Sequence, residues 1–312
     1  MTVECSSDSR ETTHLGYRHP DFARSFIGHG TPHELVHSEG WIIQRSIAGT
    51  PYYDAMGPYP LFQCHHWNRL PDDLEALRAT ELISLVMVSD PMLSDTERQV
   101  FGHFDMARPF KTHYLTDLEL PYEQSVSSHH RYYVRKASKV LDIDIPKEPI
   151  VHLDEWCILY KHLMKHHNCS DIRTFSREGF RLLLEMPGVI LLRALKDGKS
   201  VGALVIMLSG DVAHLHLMGF TPEGYQDGVT YFLIKQAMNT LRDRVRFMNI
   251  GGGTGTGATD TDTDGLTLYK QGWSTERRTT YLLGAILNRT IYEQLEKGNS
   301  ASASNYFPRY RA

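Results

Sequence analysis

The chain has 312 residues, 41% hydrophobic and 22% charged, a balance typical of a soluble globular protein; its length suits one large domain or two of about 150 residues. A formal net charge of -4 gives no demand for a nucleic-acid or membrane partner through bulk electrostatics, so any such contact would have to be local. Cys5, Cys64, Cys157 and Cys169 show no CxxC spacing and are too few to staple a chain of this length, which predicts reduced thiols and a cytoplasmic setting.

The polar segment Met1 to His19 has no apolar core of the signal-peptide kind and reads as a loose leader over residues 1–20. Trp41 to Gln44 and Pro51 to Tyr53 have strand character, and Gly57-Pro58-Tyr59-Pro60 is a turn cluster. Helix is expected over Leu70 to Thr80, where Asp72 and Asp73 favour the first turn. A buried strand follows at Leu82 to Ser89, a short helix at Ser94 to His103, and a strand at Lys111 to Asp117. Tyr122 to Leu141 reads as one helix carrying Arg131, Arg135, Lys136 and Lys139, and Pro146 marks a boundary between a first lobe, 21–145, and a second, 146–296.

Beyond it, helices are expected over Leu153 to Lys165 and Arg177 to Met186, the latter capped by Ser176. Strands Val189 to Lys196 and Ser200 to Ser209 are joined by the hairpin signal Asp197-Gly198-Lys199. Another strand, Val212 to Gly219, precedes the loop Phe220 to Gly228 and a helix from Val229 to Asp243. The run Phe247-Met248-Asn249-Ile250 then breaks into Gly251-Gly252-Gly253, a polar loop from Thr254 to Asp264, and Gly265-Leu266-Thr267-Leu268-Tyr269-Lys270-Gln271-Gly272-Trp273. Glycines let a backbone approach a ligand closely, and Lys270 follows them as a mobile cation suited to an acyl donor or acceptor. A strand at Thr279 to Ala285, a helix at Asn288 to Glu296 and a loose tail over 297–312 complete the chain. No apolar run approaches the roughly 20 residues of a membrane-spanning helix, so no membrane insertion is expected.

Helix, helix, meander, loop, helix, strand, loop, strand is an order that resembles the GNAT acyltransferase fold, an α/β architecture. Three segments resemble its Fem-type branch, the peptidyltransferases that use aminoacyl-tRNA. They are Arg131-Tyr132-Tyr133-Val134-Arg135-Lys136-Ala137-Ser138-Lys139, His214-Leu215-His216-Leu217-Met218-Gly219, and Gly251-Gly252 with Asp264-Gly265-Leu266 and Tyr269-Lys270-Gln271-Gly272-Trp273. The resemblance covers residues 110 to 285 and implies two tandem GNAT-like lobes, built on mixed, mostly antiparallel sheets flanked by helices, with a channel between them. It implies amide formation by aminoacyl transfer to an amine of a cell-wall precursor or small biosynthetic intermediate, with no tightly bound cofactor. The acceptor end of tRNA and a small-molecule or nucleotide-linked amine would be the partners. An acyl-CoA-dependent N-acyltransferase is the alternative on the same scaffold, and a non-catalytic ligand-binding module is a third reading.

The resemblance assigns Lys270 to negative charge at the reacting centre, with Tyr269, Gly251 and Gly252 beside it. Arg131 and Arg135, four apart on one helix face, can grip an anion, with Lys139 extending the stripe. Gly228, Val229 and Thr230 open a helix whose free N–H groups favour a donor phosphate, although Asp227 replaces the basic residue that acyl-CoA enzymes place there. Asp117 is the candidate general base. RNA contacts would rest on Arg242, Arg244 and Arg246, or on Arg277 and Arg278.

Asp260 to Gly265 copies the start of a calcium loop but carries Gln271 at its twelfth position. His162 and His166 have helical zinc spacing without the glutamate of HExxH, and no metal site is assigned. The triple glycine lacks the Gly-Lys-Ser/Thr ending of a P-loop.

Overall fold

The computed structural model describes residues 15–167, 175–253, 265–297 and 306–312. Helix α1 (Pro20–Arg24) precedes an antiparallel meander of β1 (Thr31–Leu35), β2 (Gly40–Ser46) and β3 (Tyr53–Met56). Helix α2 (Leu70–Arg78) crosses to β4 (Leu82–Val88), parallel to β3, and α3 (Asp95–Arg98) leads to the long β5 (Met106–Asp117). Helices α4 (Tyr122–Ser125) and α5 (Ser128–Ala137), strand β6 (Asp142–Asp144), and helices α6 (Leu153–His167) and α7 (Arg177–Glu185) follow. They lead into a second meander of β7 (Val189–Lys196), β8 (Lys199–Ser209) and β9 (Val212–Phe220). Helices α8 (Pro222–Gln226) and α9 (Val229–Leu241) cross to β10 (Phe247–Gly252), parallel to β9. Last come α10 (Gly265–Gln271), β11 (Glu276–Ile286) and α11 (Arg289–Lys297).

The same plan is drawn twice: a three-stranded meander, a helical crossover to a parallel fourth strand, then a helix and a long fifth strand. The strands order as β1-β2-β3-β4-β11-β5-β10-β9-β8-β7-β6 in one sheet. Strand β5 pairs with β10 and β11, and β11 pairs with β4 and β5. Each half therefore places its closing strand beside the other half's fourth strand, and the hydrogen-bond ladder runs unbroken between them. Contacts this distant in sequence are invisible to local periodicity.

Local chemistry explains the elements. The Asp197-Gly198 turn has positive φ at both residues, 49° and 76°, the geometry that matches the twist of a two-residue hairpin. Strand β8 lies between two helical layers. Leu204 and Ile206 face the α9 side, while Ala203, Val205 and Met207 face the side packed by α1, α6 and α7. That is the period-two alternation of a strand buried on both faces. Helix α9 buries Val229, Phe232, Leu233, Ala237 and Leu241, a three-and-four spacing that makes one apolar stripe. Ser94 closes a capping box with Glu97, and Ser176 caps α7 through Gly179 N–H.

Three expectations are corrected, and the Lys270 segment, for which the sequence predicts no element, forms one. The single helix Tyr122 to Leu141 breaks at Val126, whose backbone is extended, and restarts with Ser127 as its cap. The Lys270 segment is helical, as α10. The leader ends before residue 20, because Gly16–Arg18 forms a 3-10 turn with Tyr17 buried against Phe22 of α1 and the histidines of β9. In the tail, Phe307 stacks on Tyr292, and Arg311 reaches the fully buried Asp54 at 2.5 Å. Among the described residues no helix is long and apolar enough to cross a membrane.

Candidate active site

Parallel strands β9 and β10 pair only between Val212 and His214 on one side and Phe247 and Asn249 on the other. Past that point they separate, and a cleft of about 1140 Å³ opens between them. In an open α/β sheet, the gap at the carboxyl ends of diverging strands is where backbone groups and helix N-termini converge on a ligand. Lys111 and His113 of β5, Asn249 to Gly252 of β10, Tyr269 and Lys270 of α10, and Gly228 and Thr230 at the start of α9 all line the cleft. Tyr160, Leu163, Met164, Phe175 and Leu217 form an apolar far wall.

Lys270 Nζ donates to Gly252 O at 2.5 Å. Gly251 has φ of +90°, and a Cβ there would stand 3.2 Å from Lys270 Nζ. Glycine suits the left-handed backbone at this position, and a side chain would also crowd the ammonium. At Gly252 a Cβ would stand 3.2 Å from His113 Nε2 and 3.1 Å from Lys111 Cδ. The two adjacent glycines thus each keep clear the space before a nitrogen of the cleft.

His113 is 5% exposed and His214 2%. Their protonation pattern follows from one backbone group. Gly251 N–H can only donate, and it donates to Asn249 Oδ1 at 2.9 Å, which fixes the amide orientation. Asn249 Oδ1 then accepts from His113 Nδ1 at 3.2 Å, and Asn249 Nδ2 donates to His214 Nδ1 at 3.2 Å. His113 accordingly carries its proton on Nδ1 and has a bare Nε2. Its pKa is pushed down to about 3, first by burial and then by the charge of Lys270, so it is neutral near pH 7. Burial likewise pushes His214 and His216 down to about 3. Beyond His214, the Gln63 amide lies 3.4 Å from Nε2 and donates to Asp90 Oδ2 at 2.6 Å.

The position of Lys270 is set by a latch between α5 and α10. His130 Nε2 donates to Tyr269 O at 2.9 Å, and its Nδ1 accepts from the Ser127 hydroxyl at 2.7 Å. The imidazole meets Trp273 edge-on and packs on Tyr231 and Tyr269. Burial lowers its pKa. Burial also raises that of the Tyr269 hydroxyl, which lies beside Thr230 and Trp273.

The structure gathers some of the predicted site residues and disperses others. Lys270, Tyr269, Gly251, Gly252, Gly228 and Thr230 share the cleft, while Val229 is buried and would meet a Cβ at Gly202. Asp227 turns away to Lys196, at 2.7 Å, which leaves the N-terminus of α9 without a facing carboxylate from that residue.

Arg131 Nη1 donates to Glu123 O and Val126 O, both at 2.6 Å, closing the end of α4. Arg135 and Lys139 are exposed and outside the cleft lining, where Tyr133 is the residue of α5 that takes part. Asp117 also lies outside it, paired with Arg246 at 3.2 Å at the far end of β5. A carboxylate held there is committed to a guanidinium and cannot reach a group beside Lys270. The separate arginine patches meet, since Arg246 and Arg278 both lie over the Phe247 ring. The calcium-like run Asp260 to Asp264 falls outside the described residues, as do Cys169 and the His166 side chain. Among the described residues no group of three His, Cys, Asp or Glu could hold a metal.

Sequence reasoning missed His113 and Asn249. The available signal was a polar residue inside an otherwise apolar strand, Phe247-Met248-Asn249-Ile250; its partner lies 136 residues away.

No family model matches the chain, and no curated protein matches it. Solved structures do. The C-terminal domain of an Agrobacterium fabrum protein assigned as a lysylphosphatidylglycerol synthetase superposes with a TM-score of 0.60 at 17% identity, covering 88% of this chain and 89% of that one. FemX superposes with a TM-score of 0.61 at 12% identity over 82% and 86%. L-PGS from Bacillus licheniformis gives 0.57 at 11% identity over 88% and 94%. The chain has a GNAT-like, Fem-type fold.

Proposed function

We propose, from a chain of Fem-type fold, an amide-forming N-acyltransferase that moves an aminoacyl group from aminoacyl-tRNA to the amine of a cell-wall precursor or small biosynthetic intermediate. The observation that carries this reading is Lys270 Nζ, held 2.5 Å from Gly252 O at the mouth of the gap between β9 and β10. Aminolysis of an ester passes through a tetrahedral oxyanion, and a partly buried ammonium aimed at that position stabilises the charge more than it would in water. In this reading the ester carbonyl takes the place of Gly252 O as the partner of Nζ. A donor phosphate sits at the N-terminus of α9, over Gly228, Val229 and Thr230. The structural likeness to FemX and to lysylphosphatidylglycerol synthetase domains supports aminoacyl transfer over other acyl chemistry, at the level of fold.

The same helix N-terminus, with Asp227 drawn off to Lys196, also suits the pyrophosphate of an acyl-CoA, which is the second reading. One experiment separates the two. The protein is incubated with a panel of amines and either total charged tRNA or acetyl-CoA, and new amides are sought by mass spectrometry. Amide formed only from charged tRNA is expected, and amide formed only from the thioester would overturn the donor assignment. Lys270→Met should lower kcat by about 10²–10³, the usual effect of removing one oxyanion donor; an unchanged kcat would remove Lys270 from the chemistry.

A further inference from the structure

We propose that His113 is the general base of this site and that Asn249 is the residue that positions it, an inference that rests on the acyl-transfer reading above. The hydrogen bonds around Asn249 admit one assignment of protons. Gly251 N–H fixes the Asn249 amide, Asn249 Oδ1 holds the His113 proton on Nδ1, and the lone pair of Nε2 is left on the cleft side. A Cβ at Gly252 would stand 3.2 Å from that nitrogen, so the glycine keeps Nε2 from being crowded by a side chain. Lys270, close enough to depress the basicity of His113, presents a donor in the same cleft. The cleft thus offers one fixed acceptor and one fixed donor, the pair that an attacking amine and a developing oxyanion each require.

The step balances within the site. The amine nitrogen adds to the ester carbonyl, forming the C–N bond, while the carbonyl oxygen takes negative charge beside Lys270. One N–H proton passes to His113 Nε2. The oxyanion collapses, the bond from carbon to the ribose oxygen breaks, and the proton goes from Nε2 to that leaving oxygen. The products are an amide and a ribose hydroxyl, with His113 neutral again. The leaving alkoxide is a far stronger base than a buried imidazole, so the proton moves on without resting on His113. The groups facing the ring are Lys270 from α10, His214 from β9, Asn249 from β10 and Lys111 from its own strand. The two lysines and His214 disfavour a lasting imidazolium.

The test has two readouts. In the full chain labelled with ¹⁵N-histidine, the imidazole signals that vanish in His113→Gln should report a proton on Nδ1 and none on Nε2; the opposite tautomer would overturn the proposal. In the amide-forming assay, His113→Gln should lower kcat by about 10²–10⁴ with little change in KM, the span of general-base contributions. Imidazole added to His113→Ala should restore part of the rate, and Asn249→Ala should mix the tautomers. His113→Gln keeps the volume of the buried ring, so thermal unfolding close to that of the parent is the expected control. A parent enzyme that makes amide while His113→Gln makes it equally fast sinks the base assignment alone. A parent that makes no amide from any donor sinks the acyl-transfer reading, and the base assignment with it.

Discussion

Gly272→Ala tests how the fold places Lys270. A Cβ at residue 272 would stand 2.1 Å from His130 Cε1, 2.4 Å from Nδ1 and 2.7 Å from Nε2. Ordinary carbon contact begins near 3.4 Å, so about 1.3 Å of movement is needed to relieve the overlap. The imidazole cannot supply it, because Trp273, Tyr231 and Tyr269 surround it and two hydrogen bonds fix both nitrogens. The displacement falls on α10, which carries Lys270 two residues earlier. Overpacking of this kind costs about 1–3 kcal/mol, and a misplacement of about 1 Å at a reacting group can cost about 10² in rate. Urea unfolding should therefore show a lowered midpoint with an unchanged slope, and amide formation should fall about a hundredfold with the lysine intact. A variant as stable and as active as the parent would refute the claim that His130 locates Lys270.

Asp54 is fully buried and bonded to Arg45 at 3.1 Å, to Arg311 at 2.5 and 3.0 Å, and to the Tyr310 hydroxyl at 3.1 Å. Asp54→Asn leaves two partly buried guanidinium groups without their charged partner and should cost about 3–5 kcal/mol; unfolding in urea, with proteolysis around residues 306–312 as a second probe, checks it, and equal stability would refute it. Stability should also fall on acidification from pH 7 to pH 5. His113, His214 and His216 have folded pKa values near 3, whereas the unfolded chain takes up protons through about 6.5. The unfolded state thus binds more protons across that window, and each histidine contributes a slope of up to about 1.4 kcal/mol per pH unit. Buried Asp90, whose pKa is raised, works in the opposite sense at the acid end. Urea midpoints that stay level from pH 7 to pH 5 would mean that these histidines are charged in the folded protein.

What could be read from the chain was local. The hairpin at Asp197-Gly198, the apolar stripe of α9, the strand ending in Gly251-Gly252 and the cation at Lys270 rest on spacings of a few residues, and the structure has each of them. Asp117 looked like a base because it ends a strand in the segment that resembles the family, but its partner Arg246 is 129 residues away. The Arg131 stripe looked like an anion grip, yet the carbonyls of Glu123 and Val126 claim its first guanidinium once the helix breaks at Val126. His130 carries no motif that marks it in the chain, and its role arises only when folding packs it under Gly272.

By itself the sequence determined the order and type of most elements, because backbone preference and apolar periodicity act over one or two turns. Only tertiary structure decided that β5 lies between β10 and β11, and with that placement came His113 against Asn249 and a bare Nε2 facing the space left by Gly252. Such pairings depend on which strands share a ladder, and that is settled by the packing of the whole sheet rather than by any residue's neighbours in the chain.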